Sequence, residues 1–257
     1  MSAIANKKTA SLYRGQSTDD PYIFTKKTVY MQRIQDQIKA GCVHYIQGQI
    51  PLNKVRSLCE KFAVRYCLNK APMADSRARK DGKNVARFLC YFDQKTKTAF
   101  WFLAYFPGAE PCKNERWLDP FASSQRIKLT GYELVRQTKK EAKKPVLTWR
   151  YTMENYVKMH EQIVMSIRNK HGKILDQLIF SLSKTPGFSG SREQVKNLWS
   201  LVKKEWKRRR SASEKPPVIP PTLGYVRRLP DAGMVWSELI ESERHGSIDN
   251  FVKVAKL

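Results

Sequence analysis

Two neighbouring segments rich in aromatic and β-favouring residues constrain the fold of this chain most strongly. Val85–Phe92 and Thr98–Phe106 each have the length of a strand, and the polar stretch Asp93–Lys97 separates them. The longest uninterrupted apolar run, Ala99–Phe106, has eight residues, whereas a helix needs roughly 20 residues to span a bilayer. The pattern therefore predicts a buried β-hairpin, and we expect no transmembrane helix.

Amphipathic helices are predicted on the N-terminal side of this hairpin. Apolar side chains recur at helical spacing in residues 52–66, which predicts a helix whose inner face covers the sheet. A first helix is predicted over Thr25–Lys39, with Thr25 as its N-cap and Gly41 as its C-terminal stop. The other elements predicted for this half are a short strand at Cys42–Ile46, an irregular loop from Pro107 to Ser124, and a second hairpin made of Arg126–Arg136 and Val146–Tyr151.

The period of the apolar residues becomes helical from Thr152 onward. Three apolar stripes predict three helices, and Ser191–Gln194 fits a capping box at the start of the last one. Ser211–Thr222 contains four prolines, which is typical of a linker. The final segment, Leu223–Leu257, predicts one short strand and one helix that pack back on the rest of the chain.

These patterns predict an α+β protein with an N-terminal mixed α/β domain that contains antiparallel hairpins, followed by a small helical domain. The predicted organisation is a flexible basic arm at residues 1–24, the mixed α/β domain at 25–151, a helical basic domain at 152–210, a Pro-rich linker at 211–222, and a C-terminal return segment at 223–257.

The chain carries a large excess of positive charge. It has 48 Lys and Arg residues against 23 Asp and Glu residues, a formal net charge of +25, and a sequence pI of about 10.0. Self-repulsion of this charge would destabilise the folded state unless a polyanion lies against it, and nucleic acid is the obvious candidate. An anionic membrane would require a basic amphipathic helix or a lipidation site near a terminus, and neither terminus offers one. We expect RNA, DNA or both as partner, and no membrane.

Three basic clusters carry most of the excess. The first lies in the polar segment 70–83, interpreted as a flexible loop that becomes ordered on a phosphate backbone. The second is the tip of the second predicted hairpin, and the third is the last predicted helix. The alternatives are a solvated loop, a turn that discourages edge pairing, and charges that complement the helix macrodipole. The candidate nucleic-acid-binding residues are Arg77, Arg79, Lys80 and Lys83; Lys139, Lys140, Lys143 and Lys144; and Arg192, Lys196, Lys203, Lys204, Lys207, Arg208, Arg209 and Arg210.

Two features suggest contacts with bases. The last two predicted helices flank a Gly-containing turn as in a helix-turn-helix, with Arg192, Lys196 and Lys203 as recognition residues, although about six residues separate the helices where three or four are usual. Of the sheet aromatics, Tyr91 and Trp149 are the candidates for facing nucleic acid. The aromatic residues available for stacking on unpaired bases, most of them expected in the core, are Trp101, Phe102, Tyr105, Trp149, Tyr151, Trp199 and Trp206.

The sequence favours a binding protein over an enzyme. It contains no phosphate-binding P-loop, no nucleophile elbow and no zinc-protease motif. Its carboxylate-x-Lys sequences, at Asp93 and Glu141, fall at predicted turn tips and disfavour metal-dependent cleavage. Metal-independent RNA cleavage by a histidine stays open, with His44 as the candidate general base or acid. We expect no metal and no cofactor.

The cysteines and the N-terminal sequence both indicate a reducing compartment. The five cysteines are odd in number and never form Cys-x-x-Cys, so neither a disulfide framework nor a zinc site is predicted. We expect reduced thiols, mostly in the core. No apolar region follows the N-terminal lysines, so we expect no secretory signal and a cytoplasmic protein.

The combination of a basic mixed α/β half with aromatic hairpins, a basic helical half and a C-terminal return resembles small subunits of prokaryotic RNA-guided, CRISPR-type complexes, including plasmid-borne ones. It is similar in outline to their repeat-processing and CRISPR-RNA-capping proteins. The nearest analogue of the Gly-rich C-terminal loop of the repeat-processing family is Leu223–Arg228, which has one glycine. The resemblance implies an RNA-binding role and protein partners, and it assigns no catalytic residue.

The sequence therefore predicts a nucleic-acid-binding subunit of a bacterial nucleoprotein complex, RNA-guided or plasmid-associated, that holds the phosphate backbone through basic loops and a basic helix end. One alternative is a metal-independent CRISPR-type endoribonuclease. The other is a ribosomal or organellar structural protein.

Overall fold

The computed structural model describes residues 17–68, 72–106, 108, 115–138 and 145–245. These residues divide into two compact units, the first drawn from Met1–Pro120 and Arg228–Leu257 and the second from Phe121–Arg227. Seven α-helices and two β-sheets are formed by the described residues, which confirms the α+β class.

The helices and strands are numbered in chain order. The strands are β1 (Tyr22–Phe24), β2 (His44–Pro51), β3 (Cys67–Leu68), β4 (Val85–Asp93), β5 (Thr98–Phe106), β6 (Lys128–Leu129), β7 (Tyr132–Gln137), β8 (Val146–Tyr151) and β9 (Gly233–Val235). The helices are α1 (Lys27–Lys39), α2 (Val55–Arg65), α3 (Pro72–Lys80), α4 (Met153–Arg168), α5 (Gly172–Ser183), α6 (Ser189–Arg209) and α7 (Trp236–Arg244). None of these described helices is long and apolar enough to cross a bilayer.

The predicted aromatic hairpin forms the centre of the first unit. Strands β4 and β5 pair antiparallel from Val85 opposite Phe106 to Asp93 opposite Thr98. The sheet has the order β2-β5-β4-β1-β9, with β3 also paired to β4. Strand β1 runs parallel to β4, and β9 runs antiparallel to β1. The hairpin is thus confirmed, and the C-terminal return adds the strand and the helix predicted for it.

Strand β1 corrects the prediction of a flexible arm at residues 1–24. Ile23 and Phe24 are fully buried between β4 and β9. The apolar run Tyr22–Phe24 is three residues long, too short to show a strand period in the sequence. Residues 1–16 lie outside the described part of the chain.

Helices cover both faces of this sheet. Side chains alternate between the faces of a strand, so Phe88 on β4 packs with Phe62 of α2, while Tyr91 stacks on Tyr30 of α1 at a ring-centroid distance of 5.7 Å. Leu239 of α7 belongs to the same core cluster as Phe62. The first unit is therefore a sheet between α1 on one face and α2 with α7 on the other.

The ends of α1 and β2 differ partly from the prediction. Lys26 is the N-cap of α1, and Thr25 is not, because the backbone N–H of Thr25 donates to Ala232 O at 3.0 Å. Gly41, with a φ of 91°, ends the helix as predicted. Strand β2 continues through Gly48 to Pro51. A Cβ on residue 48 would lie 2.8 Å from the nearest atom of the Trp101 indole, so glycine leaves the room that this indole occupies.

Four charged side chains attach the C-terminal return segment to α1. The buried Arg33 guanidinium forms an ion pair with the buried Asp231 carboxylate and donates to Leu229 O at 2.7 Å. Arg228 donates to both carboxylate oxygens of Asp36, at 2.9 and 2.6 Å. Residues 228–231 lie just before β9 in the chain. The network therefore holds β9, an outer strand of the sheet, near α1, although the two elements are far apart in sequence.

The second unit begins earlier than the predicted boundary at 151/152. Its sheet has the order β6-β7-β8, which contains the predicted second hairpin, and α6 lies on β8. The backbone N–H of Gly190 donates to Thr148 Oγ1 at 2.9 Å. The Gln194 side chain accepts from the N–H of Tyr151 at 2.7 Å and donates to its carbonyl at 3.2 Å. These contacts place the hairpin with the helices.

The predicted capping box at Ser191–Gln194 is wrong. Helix α6 begins at Ser189 with Phe188 as its N-cap. The Ser191 hydroxyl donates to Phe188 O at 3.1 Å, and the Gln194 carboxamide is taken up by β8. The Gln194 side chain therefore bonds the backbone of β8 and does not form the cap at the start of α6 that the sequence pattern predicts.

Replacing Asp231 should destabilise the first unit. In Asp231→Asn the buried Arg33 guanidinium loses its nearest carboxylate and keeps only that of Asp36, at 3.7 Å. Removing one partner of a buried ion pair costs about 3–5 kcal/mol. Glu60→Gln is the matched control, because it is also a carboxylate-to-amide change and its ion pair with Arg56 is exposed and contributes roughly 0–1 kcal/mol. Urea denaturation measures the free energy of unfolding, and equal losses in the two variants would contradict this account.

The buried cysteines should stay unreactive in the folded protein. Cys42, Cys59 and Cys90 are buried free thiols, and burial raises the pKa of Cys42 and of Cys59 from 9.0 to about 12. Because the folded-state pKa exceeds the unfolded-state value, their contribution to stability is present below pH 9 and is lost as the pH rises toward about 12.

A Cys67→Ser, Cys112→Ser variant retains these three thiols. At pH 8 we expect an aromatic disulfide reagent to modify them at the rate of unfolding, and to modify them at once in urea. Rapid modification of the folded protein would show that a thiol is accessible.

Candidate nucleic-acid interface

Helix α6 separates an apolar face from a basic one. Val195, Leu198, Trp199 and Val202 are buried in the second unit. At 3.6 residues per turn, Lys196, Lys203 and Lys207 project within about 40° of one another on a different side. All three are exposed. We call these three residues the lysine stripe.

The lysine stripe has no acidic partner within the described residues. No ion pair of the described chain involves Lys196, Lys203 or Lys207, and the exposed neighbours Lys204 and Arg209 also lack one. From Lys196 to Lys207 the stripe extends about 16 Å at a rise of 1.5 Å per residue. Helix α6 therefore presents a line of uncompensated ammonium groups.

Three arginines predicted in the same cluster have structural partners instead. Arg208 donates to both oxygens of Glu205 and is the main cause of the lowered pKa of that carboxyl. Arg210 pairs with Glu214 at 2.8 Å. Arg192 donates to Leu223 O at 2.6 Å, and its guanidinium lies 3.4 Å from the centre of the Tyr225 ring. Three arginines of the predicted cluster are thus paired, whereas Arg209 and the lysines have no ion pair among the described residues.

The predicted linker lies along α6 and belongs to the second unit. Pro216, Pro217 and Ile219 line a cavity together with side chains from the C-terminal half of α6, whereas Tyr225 contacts Arg192 near the helix start. Residues 211–227 therefore run back along the helix, and we call them the proline strap.

Gly187 allows the proline strap to approach the start of α6. The backbone N–H of Val226 donates to Gly187 O at 3.0 Å. A Cβ on residue 187 would lie 1.9 Å from Gly224 O, so a side chain there would push the strap away.

The cavity beside the strap has a volume of about 440 Å³. Its lining consists of Val202, Lys203, Trp206, Lys207, Pro216, Pro217 and Ile219. The Arg210 guanidinium lies over the indole of Trp206, 4.8 Å from the ring centre. Two lysines of the stripe therefore border an apolar pocket that contains a partly exposed tryptophan.

The first basic cluster is a helix and not a flexible loop. Pro72 occupies the first position of α3, where proline is favoured, and Asp75 is fully buried in an ion pair with Arg87 of β4 at 2.9 Å. Arg87 also donates to Gln37 of α1 at 2.9 Å. This buried pair fixes α3, although the helix has little apolar surface of its own.

The basic residues of this cluster differ in their contacts. The Arg79 guanidinium lies 4.7 Å from the centre of the Phe106 ring, so Arg79 has a packing role. Arg77, Lys80 and Lys83 are exposed, and Arg77 lies near the Met73 sulfur at 3.6 Å.

The second cluster, Lys139, Lys140, Lys143 and Lys144, lies outside the described residues.

The sheet aromatics expected to face nucleic acid are buried. Trp149 is fully buried, and Tyr91 is 7% exposed between Tyr30 and Phe100. Helix α1 covers the face of the first sheet on which Tyr91 lies. The prediction for Tyr91 and Trp149 is wrong.

The geometry also disfavours a helix-turn-helix. Residues 184–188 separate α5 from α6, a longer connection than the usual three or four residues. A recognition helix uses its N-terminal residues to reach base edges, but Gly190 and Ser191 are buried and Arg192 is held by the proline strap. Of the three proposed recognition residues, Lys196 and Lys203 are free to contact a ligand as part of the lysine stripe.

His44 lies in a sheet environment typical of a structural residue. Its ring stacks with Tyr105 at 6.5 Å, and its Nδ1 atom is buried without a hydrogen-bond partner in the described part of the chain. The described residues contain no group of three or more His, Cys, Asp or Glu side chains placed to hold a metal ion.

The pocket beside Trp206 was not anticipated from the sequence. Trp206 stood out only as one of seven aromatic residues, and the prolines of the strap are typical of a linker. The signal in the sequence is the spacing of Lys203, Trp206 and Lys207 within five positions of one helix.

Comparison of the chain with protein-family models, with curated protein sequences and with solved structures finds no match. The functional assignment therefore depends on the residues and geometry described above.

Proposed function

We propose that the protein binds nucleic acid through the lysine stripe of α6. The observation that carries this proposal is the alignment of Lys196, Lys203 and Lys207, exposed and without ion pairs among the described residues. The nearby Arg192, Arg208 and Arg210 have carbonyl, carboxylate or aromatic partners. The stripe is thus a surface whose charge the protein does not neutralise internally.

Phosphates are the ligand that suits this surface. A lysine ammonium is a mobile point charge that contacts phosphate oxygens without a fixed geometry. Each neutralised phosphate releases condensed counterions, which supplies most of the sequence-independent affinity for nucleic acid. Arg77, Lys80 and Lys83 of the α3 region, which are exposed, supply a second set of such contacts.

The wider proposal is that the chain is a subunit of a bacterial nucleoprotein complex, RNA-guided or plasmid-associated, as the resemblance implies. The basic surfaces support this role over metal-independent RNA cleavage. The Nδ1 atom of His44 is buried without a hydrogen-bond partner among the described residues, and a general base must reach the substrate hydroxyl.

A triple substitution tests the lysine stripe. In Lys196→Gln, Lys203→Gln, Lys207→Gln, the plot of log affinity against log salt should become flatter by about 2 units for a single strand, since each lost phosphate contact removes roughly 0.7. Fluorescence anisotropy with a labelled 20-nucleotide strand, titrated at several salt concentrations, measures this slope.

The matched control is Lys61→Gln, Lys158→Gln, Lys173→Gln, which removes the same charge from exposed lysines elsewhere. We expect its slope to stay close to that of the wild-type protein. Equal flattening in both variants would show that net charge alone, and not the stripe, binds the ligand.

The two arginines of α3 should respond differently to truncation. Arg79→Ala should lower the free energy of unfolding by about 0.5–1 kcal/mol, because it removes a cation–π contact with Phe106. Arg77→Ala should leave stability unchanged and flatten the salt dependence by roughly 0.7 for a single strand. Urea denaturation and anisotropy separate these effects, and a stability loss confined to Arg77→Ala would reverse the assignment.

A further inference from the structure

We propose that the pocket between α6 and the proline strap receives an unpaired nucleobase, so that the protein prefers single strands to duplexes. This inference rests on the proposed function, because the base would belong to the strand whose phosphates the lysine stripe binds. It adds the class of ligand that the stripe alone does not specify.

The pocket has the size and lining that suit a flat aromatic ring. Its volume of about 440 Å³ lies within the range of roughly 300–1,000 Å³ that is common for ligand sites. Val202, Pro216, Pro217 and Ile219 supply apolar walls, and Trp206 supplies an indole. Bases of any sequence stack on such aromatic side chains in proteins that bind single strands.

The positive charges lie where a bound nucleotide would place its phosphates. Lys203 and Lys207 both line the pocket and are one helical turn apart, a spacing at which Cβ atoms are about 5–6 Å from each other. A base inserted between them has a phosphate on either side of its sugar. The same two lysines therefore serve the pocket and the lysine stripe.

Arg210 fixes the indole and adds to the positive charge. Its guanidinium covers one face of Trp206, and its side chain is 9% exposed, with an ion pair to Glu214 at 2.8 Å. Its Nε and Nη1 atoms are buried and have no hydrogen-bond partner within the described residues. The Glu214 carboxylate thus pairs with only part of the Arg210 guanidinium, and the remaining N–H donors have no partner among the described residues.

These contacts favour an unpaired base over a duplex or an apolar peptide. In a duplex the base must first be flipped out of the stack, which costs a few kcal/mol, whereas a single strand offers its bases directly. An apolar peptide could fill the walls but would leave the Lys203 and Lys207 ammonium groups without anionic partners. A nucleotide uses both parts of the site.

The first arm of the test replaces the indole. Base stacking on an aromatic side chain contributes about 1–3 kcal/mol, so Trp206→Ala should weaken binding of a 20-nucleotide single strand by roughly 5- to 150-fold and leave duplex affinity unchanged. Trp206→Phe should retain most of the affinity. Phe180→Ala, which truncates an exposed aromatic residue of α5 outside the pocket, is the control and should bind both ligands like the wild-type protein.

The second arm begins with the wild-type protein, and this first comparison needs no variant. An abasic oligomer with the same number of phosphates should bind more weakly than the normal strand by about the factor lost in Trp206→Ala, and Trp206→Ala should not distinguish the two oligomers. Equal wild-type affinity for both oligomers would overturn the base pocket. Equal losses for single strand and duplex in Trp206→Ala would also overturn it and assign Trp206 to support of the strap.

The abasic oligomer separates this inference from the proposed function. Salt-dependent binding of that oligomer, weakened by substitution of the lysine stripe, reports phosphate contacts alone. If those contacts are present and the bases add nothing, the pocket proposal fails while the stripe stands. If neither oligomer binds in a salt-dependent way, the proposed function itself fails.

Discussion

The supply of carboxylates limits how this protein can arrange its charge. With 23 acidic residues for 48 basic ones, most cations must be left without an acidic partner. The buried guanidinium groups of Arg33 and Arg87 each have a carboxylate partner, since an unpaired buried charge would cost several kcal/mol. Asp75 pairs with Arg87, and Asp231 pairs with Arg33. These two contacts attach α3 to strand β4 and the C-terminal return segment to α1.

The same limit separates the roles of arginine and lysine. Arginine presents a planar fork that satisfies fixed carboxylate and carbonyl oxygens, and it stacks on rings, as Arg192 does on Tyr225. Lysine is a flexible point charge and forms few of the ion pairs between described residues. Lys97, which pairs with Glu243, is one that does. Structural contacts therefore involve mainly arginines, and the lysines of the α6 stripe remain for an anionic ligand.

Elements with a clear apolar period could be predicted from the sequence, and elements held by distant contacts could not. The β4–β5 hairpin and α2 are confirmed because their own residues carry the pattern. Helix α3 was missed because a buried ion pair with Arg87 fixes it, and the proline strap was missed because prolines carry no period. For the site, the exposed lysines follow from composition. The pocket does not, since Trp206 and Pro216 meet only through the tertiary fold.

The pairing of β9 with β1 has a consequence for synthesis of the chain. The second unit is contiguous and emerges from the ribosome between the two parts of the first unit, so it can fold while β1 still lacks its outer neighbour. At about 5–20 residues per second, the ribosome needs on the order of ten seconds to supply the stretch 121–235. During that interval the nascent sheet has an open edge at β1, where another unfinished chain can pair. A chaperone that shields the edge during translation would protect the protein before its last strand arrives.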